Sequence, residues 1–235
     1  MALNAREVKN TGGKKYPVME AGNYPVRLVQ VIDLGIQPQE YQGEEKPPKR
    51  EIMVTYEFLD EFLPDDDGNP DETKPRWLSE RFALNNLQSE KAKSTQRYYA
   101  FDADEDEGGD WFALLGRPGA ATVVTYIGKD KVERNKIASV SAMRPKDAQK
   151  APALVNEPKK FDTEEPDAEV FGTLPEFVQK LIKDGLEYDG AFLEGVGKGK
   201  ADKAAGGAAK GRKEAVPEDE IPFDEKAEPE GDDNW

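Results

Sequence analysis

Tyr24-Pro25-Val26-Arg27-Leu28-Val29-Gln30-Val31-Ile32-Asp33-Leu34, set between Gly22-Asn23 and Gly35, is the stretch on which the fold class turns. It is rich in Val and Ile, alternates for part of its length and is bracketed by turn formers, the pattern of a half-buried β-strand. Two more runs of this kind follow. Ile52-Met53-Val54-Thr55-Tyr56-Glu57-Phe58-Leu59 comes after the approach Lys46-Pro47-Pro48-Lys49-Arg50, and Arg76-Trp77-Leu78-Ser79-Glu80-Arg81-Phe82 comes after the turn Asp65-Asp66-Asp67-Gly68-Asn69-Pro70. Ser89 to Ala100 then holds good helix formers, with Ser89 as a candidate cap. Beyond the acidic stretch Asp102 to Asp110, Trp111 to Leu115 reads as a short helix stopped by Gly116 and Pro118. Ala121 to Ile127 and Val132 to Met143 read as two last strands, joined as a hairpin through Gly128-Lys129-Asp130-Lys131.

Three strands, a helical insertion and two strands make the chain mainly β and match a five-stranded OB-fold barrel with a helix between strands three and four. An open antiparallel sheet with helices on one side fits the same string. Residues 145–172 carry four prolines and no periodicity, so they read as a long surface connection. Leu174 to Ile182 has the spacing of a short amphipathic helix, with Thr173 as its N-cap and Pro175 in its first turn. Past residue 195 the composition changes twice. Residues 196–213 hold six basic residues and one acid among Gly and Ala, a flexible basic linker; residues 214–235 hold ten acids and one lysine, a disordered acidic tail. Residues 1–195 are left as the folded domain.

Two absences close off common chemistry. The 235 residues include no histidine and no cysteine, so a Ser/His/Asp or Cys/His nucleophile, a disulfide and a thiolate metal site are all excluded. Only 37% of residues are apolar while 34% are charged, which is poor in core material and points to disorder in part of the chain. The longest apolar stretches fall far short of the roughly 18 residues a membrane span needs. The opening Met1-Ala2-Leu3-Asn4-Ala5-Arg6-Glu7 lacks an apolar signal core. No membrane association is expected, and the chain should stay in the cytoplasm of the cell that makes it.

Several tempting motifs fail on spacing. The Gly195 to Ala201 run resembles a phosphate loop, but neither Gly-Lys pair is followed by Ser or Thr, so linker is the better reading. A calcium loop with Gly68 at its sixth position would put Leu63 first and Lys74 twelfth, which is a turn and no EF-hand. The acidic loops leave one enzyme class open, a nuclease or phosphohydrolase holding magnesium on clustered carboxylates. Those carboxylates crowd into Gly/Pro-rich loops that fix no geometry, so solvated loops are favoured, and neither a metal nor another cofactor is expected.

The opposite sign is more informative. The formal charge is −15, yet residues 73–101 carry six basic residues against two acids, and residues 111–150 carry eight against three. Aromatics interleave with these cations: Arg76-Trp77, Arg81-Phe82, Arg97-Tyr98-Tyr99, and Tyr126 ahead of Lys129 and Lys131. Cations for phosphates and aromatic faces for unstacked bases are what single-stranded nucleic acid requires. For any single aromatic, packing in the core is the safer assignment.

Pro217-Glu218-Asp219-Glu220-Ile221-Pro222-Phe223-Asp224 resembles the acidic tip of bacterial single-stranded-DNA-binding proteins, and the ending Asp232-Asp233-Asn234-Trp235 is similar to the aromatic-tipped tails of phage members. The Gly22 to Gly35 stretch, the Lys46 to Phe58 segment and the Thr173 to Lys183 helix look like a family of bacteriophage single-stranded-DNA-binding proteins with an OB fold, a likeness spanning most of residues 20–190. The Ile-Pro-Phe lies twelve residues before the end instead of at the terminus. The resemblance implies a non-catalytic coat for single-stranded DNA in phage replication, recombination and repair, working in the cytoplasm of the bacterial host, possible as a homodimer. Arg27, Lys49, Arg50, Arg76, Arg81, Lys129, Lys131, Arg134 and Lys136 are then the candidate phosphate contacts, with Tyr56, Trp77 and Tyr126 as stacking platforms. Asp219, Glu220, Ile221, Phe223, Asp232, Asp233 and Trp235 are the candidate tail contacts to phage or host polymerase, helicase or nuclease, and the tail also competes for the DNA groove. A rival reading is an acidic DNA mimic that occupies a host enzyme.

Overall fold

The computed structural model describes residues 17–193. Its main elements are β1 (Gly22–Tyr41), β2 (Glu44–Pro64), β3 (Pro70–Ala83), α1 (Lys93–Tyr99), β4 (Pro118–Ile127), β5 (Glu133–Ala142), α2 (Pro145–Ala148), β6 (Lys159–Phe161), α3 (Ala168–Thr173) and α4 (Glu176–Lys183). Five strands form an antiparallel sheet in the order β3-β2-β1-β4-β5, and β6 adds parallel to β1 at Gln30–Ile32. The protein is thus mainly β. β3 and β5 are the two edges and do not pair with each other, so the ladder stays open.

The incomplete alternation of β1 has a local cause. Its register against β2 shifts between Leu28 and Gln30, a bulge that changes the phase of the strand. Val26 and Leu28 before the shift and Val31 after it enter one core, while Ile32 and Leu34 enter a second core. From Glu51 to Glu57 β2 keeps an unbroken register with β3 and serves both cores. Ile52, Val54, Tyr56 and Phe58 point into the first, Met53 into the second, and every residue from Glu51 to Leu59 is buried. A strand covered on both faces reads as a continuous apolar run, which explains the Ile52–Leu59 pattern.

The first core lies inside the curl of β1–β5 and is closed by Tyr98, Phe101, Trp111 and Leu114. Gly119 of β4 makes room for it: a Cβ there would lie 2.7 Å from the Phe101 ring. The second core lies on the other face of β1 and β2 and is filled from Phe161, Phe171, Leu174, Val178 and Ile182. The gap between the edge strands is spanned by α1. Its buried Arg97 donates to both Glu80 oxygens on β3, at 2.8 and 3.0 Å, and to the Ala138 carbonyl on β5 at 3.2 Å.

Four local expectations need correction. α1 begins at Lys93 with Ala92 at its N-cap, not at Ser89, which lies in the turn upstream and accepts from the Ala92 N–H. Trp111–Leu115 yields only a 3-10 turn at Phe112–Leu114. Thr173 ends α3 instead of capping α4, because its hydroxyl donates to the Val170 carbonyl; Pro175 takes the cap position. The stretch 145–172 contains α2, β6 and α3, elements of four, three and six residues that are too short to leave a periodic signal.

Candidate nucleic-acid interface

Arg27, Glu57 and Trp77 are register neighbours on β1, β2 and β3. A strap of residues 151–156 crosses the sheet at this row. Arg27 donates to the carbonyls of Ala151 at 3.0 Å and Pro152 at 2.6 Å, and also to Gly116. The fully buried Glu57 accepts from the Val155 N–H at 2.7 Å, from the Asn156 side-chain amide at 2.7 Å and from Trp77 Nε1 at 3.1 Å. A buried carboxylate is tolerable only with such a set of donors. The strap and the second core therefore cover much of the outer face of β1–β3.

The candidate contacts on this half are correspondingly occupied. Arg27 is a clamp on the strap, with its guanidinium committed to backbone, and is corrected from phosphate contact to structural residue. Tyr56 is likewise corrected: it has no exposed surface, and its hydroxyl donates to Glu80 at 3.1 Å. Burial, with the Glu80 charge beside it, holds that hydroxyl's pKa well above the usual phenol value. Arg50 joins Asp33, Glu164 and Glu187 at 3.0 to 3.6 Å and so ties β1 and β2 to the loops flanking α3 and α4. Arg81 is paired with Glu51. Arg76 is buried, and Trp77 is half-buried with its indole N–H on Glu57. Lys49 stays exposed, on the ribbon that β1 and β2 form beyond Gly35, where Pro38 faces Pro47-Pro48 and interrupts the ladder. Lys46 on the same ribbon pairs with Glu44 at 2.9 Å.

The β4–β5 hairpin is built differently. Ala121, Val123, Ile137 and Val140 face the first core. The alternate residues Ala120, Thr122, Val124 and Tyr126 stand opposite Ser141, Ser139, Lys136 and Arg134, and form an outer face on which Lys136, Ser139 and Ser141 are exposed and the others half-buried. Lys136 Nζ lies 5.7 Å above the Tyr126 ring, a cation–π pair. Lys129 and Lys131 are exposed at the turn, and Arg134 folds back over Gly128 to grip Asp130 at 2.6 and 2.7 Å. That grip holds the Asp130 carboxyl far below the ordinary carboxylate range. Ile127 is 74% exposed beside these cations.

Acids are missing from this face. From Trp111 to Lys129, and again from Arg134 to Lys146, the chain contains no Asp or Glu, although the whole protein has 48. Hydroxyls fill the middle. Ser139 donates to Thr122 at 3.0 Å and Thr122 to Asn23 Oδ1 at 2.6 Å, a polar row across β5, β4 and β1. From Tyr126 to Ala120 the strip is about 20 Å long at the usual strand rise. The structure thus brings Tyr126, Lys129, Lys131, Arg134 and Lys136 together, and leaves Lys49 apart on the β1–β2 ribbon. Sequence reasoning missed Asn23, Thr122 and Ser139, which carry no signal beyond being polar residues at alternate strand positions.

The tail candidates Asp219, Glu220, Ile221, Phe223, Asp232, Asp233 and Trp235, and the linker 196–213, lie outside the described residues. Among those described, no three carboxylates gather into a group able to hold a metal ion, and no helix is long and apolar enough to cross a membrane. Compared with models of protein families, with curated proteins and with solved structures, the chain matches none of them.

Proposed function

We propose that this chain binds single-stranded DNA without sequence preference and without catalysing a reaction, on the outer face of the β4–β5 hairpin, with the β1–β2 ribbon at the other end of β1 as a separate contact. The observation that carries this reading is the acid-free face on which Lys136 covers Tyr126 and four further cations or hydroxyls follow in register. A ring beside a cation stacks any base, because every base has a π-face, while the lysines meet the phosphates. The strand order β3-β2-β1-β4-β5, with a helix inserted between β3 and β4 and bridging both edges through Arg97, supports an OB fold, in which the first-to-second and fourth-to-fifth strand loops bind oligonucleotides. The resemblance to phage single-stranded-DNA-binding proteins supports a role in replication, recombination and repair in the bacterial host. In this reading the acidic residues 214–235 compete for the basic face when DNA is absent and recruit replication partners when it is bound, a weak contact being enough at high effective concentration.

The test is a titration of the full chain with single- and double-stranded oligonucleotides, with and without magnesium, across a salt series. Tyr126→Ala with Lys136→Ala should weaken dT-oligomer binding by roughly 5- to 100-fold, one lost base stack. It should also flatten the log–log salt slope by about 0.7 for the lost cation. Unchanged affinity and slope would remove the site assignment. No affinity for any nucleic acid would favour the DNA-mimic reading, and magnesium-dependent cleavage would favour an enzyme. Removal of residues 214–235 should tighten DNA binding; weaker binding after the deletion contradicts the tail model.

A further inference from the structure

At the far end of the β4–β5 face from its turn lies an open groove of ≈ 530 Å³, walled by the start of β1, the end of β5 and α2. Its floor is apolar, with Pro25, Ala120 and Met143. Its rim carries Arg144 and Lys150 with one acid, Asp147. Arg144 is 86% exposed in its side chain and is oriented by one bond, Nε to Asp147 at 2.6 Å, which leaves both terminal nitrogens of the guanidinium without a partner among the described residues. Lys150 lines the same groove, exposed. Asn23 closes the polar row described above: its oxygen accepts from Thr122, and the exposed side chain, with its amide NH2, lines the groove's edge.

We infer that this groove is a second nucleotide subsite, where a strand running along the β4–β5 face from Tyr126 sets one base on the Pro25–Met143 floor and its flanking phosphates against Arg144 and Lys150. The inference rests on the single-stranded-DNA reading and extends it. Three features argue for a nucleotide over other occupants. Planar guanidinium nitrogens suit a phosphate, and the orientation by Asp147 lowers the cost of fixing them. An amide donor beside an apolar floor suits the edge and face of a base. Continuity matters most, because the β4 and β5 residues of the strip between Tyr126 and Arg144 include no acid, and the one acid of the groove, Asp147, is paired with Arg144. The about 20 Å between the two ends makes the groove reachable only by a strand of several nucleotides.

This length dependence gives the test. Arg144→Ala with Lys150→Ala, in the full chain, should leave binding of a very short dT oligomer unchanged and weaken binding of a dT 20-mer about tenfold. The salt slope for the 20-mer should drop by about 1.4, the share of two lost phosphate contacts on a single strand. Asn23→Ala is a gentler second variant and should cost the 20-mer about threefold. Both variants alter exposed groups, and a melting curve matching the parent confirms that they fold. If the parent binds dT and the variants match it at every length, the subsite is overturned while the DNA reading stands. If the variants lose short and long oligomers equally, the groove acts only through general charge and the subsite is again overturned. If the parent binds no single strand at all, the reading beneath the inference fails as well.

Discussion

The β1–β3 half and the β4–β5 hairpin are made of the same residue types and use them in opposite ways. In the first half the arginines turn inward or sideways: Arg27 grips the strap, Arg50 gathers Asp33, Glu164 and Glu187, Arg81 meets Glu51, and Arg97 is locked on Glu80. In the hairpin Lys129, Lys131 and Lys136 are exposed, and Arg134 pairs with Asp130 to close its own turn. Coverage makes the difference. The strap and the second core lie over β1 and β2, so charges there need protein partners, whereas Lys129, Lys131 and Lys136 of the hairpin are exposed.

The sharpest way to break this comparison is Arg97→Ala. It leaves the buried Glu80 carboxylate with only Lys93 and the Tyr56 hydroxyl, and should cost about 3–5 kcal/mol in urea unfolding. A loss no larger than that of a hairpin lysine would mean that the two halves are not differently built. Glu57→Ala follows, at about 1–3 kcal/mol, by stranding the Val155 and Asn156 donors and loosening the strap. Amide exchange at Val155 should rise with it.

Acid offers a milder probe. Burial pushes the Glu80 carboxyl up, but Arg97 and Lys93 outweigh it, and the net position is below the ordinary glutamate value. A depressed carboxylate contributes stability that is complete above its unfolded pKa, near 4.3, and is lost as pH falls through the lower folded value. Thermal melts should therefore drop below about pH 4.3, and Glu80→Gln should flatten that part of the profile. The smallest expected effect is in the hairpin. Lys136→Ala should change stability by no more than about 0.5 kcal/mol while still weakening DNA binding, separating function from folding in one variant.

Much of the strand plan was legible because the runs at 24–34, 52–59 and 121–127 are rich in β-branched and aromatic residues and lie between turn formers. The bulge after Leu28 was not, since one extra residue changes the facing of a strand without changing its composition. Nor were β6 and α3, whose few residues gain their order by packing Phe161 and Phe171 into the second core. At the candidate site, interleaved cations and aromatics drew attention to Tyr126 and Lys136, which the structure places 5.7 Å apart. Tyr56, the other strand aromatic expected to stack a base, lies between polar residues in sequence and is enclosed on all sides in space.

By itself the sequence determined the residue inventory: no imidazole or thiol chemistry, a β-rich body, and a separation of charge into basic strands, acidic loops, a basic linker and an acidic end. Only the tertiary structure decided which cations face water. That choice depends on which strand lies under the strap, and the strap is fixed by Arg27 and Glu57, which are more than ninety residues away from it along the chain. Contacts over such separations arise from packing, and no local pattern encodes them.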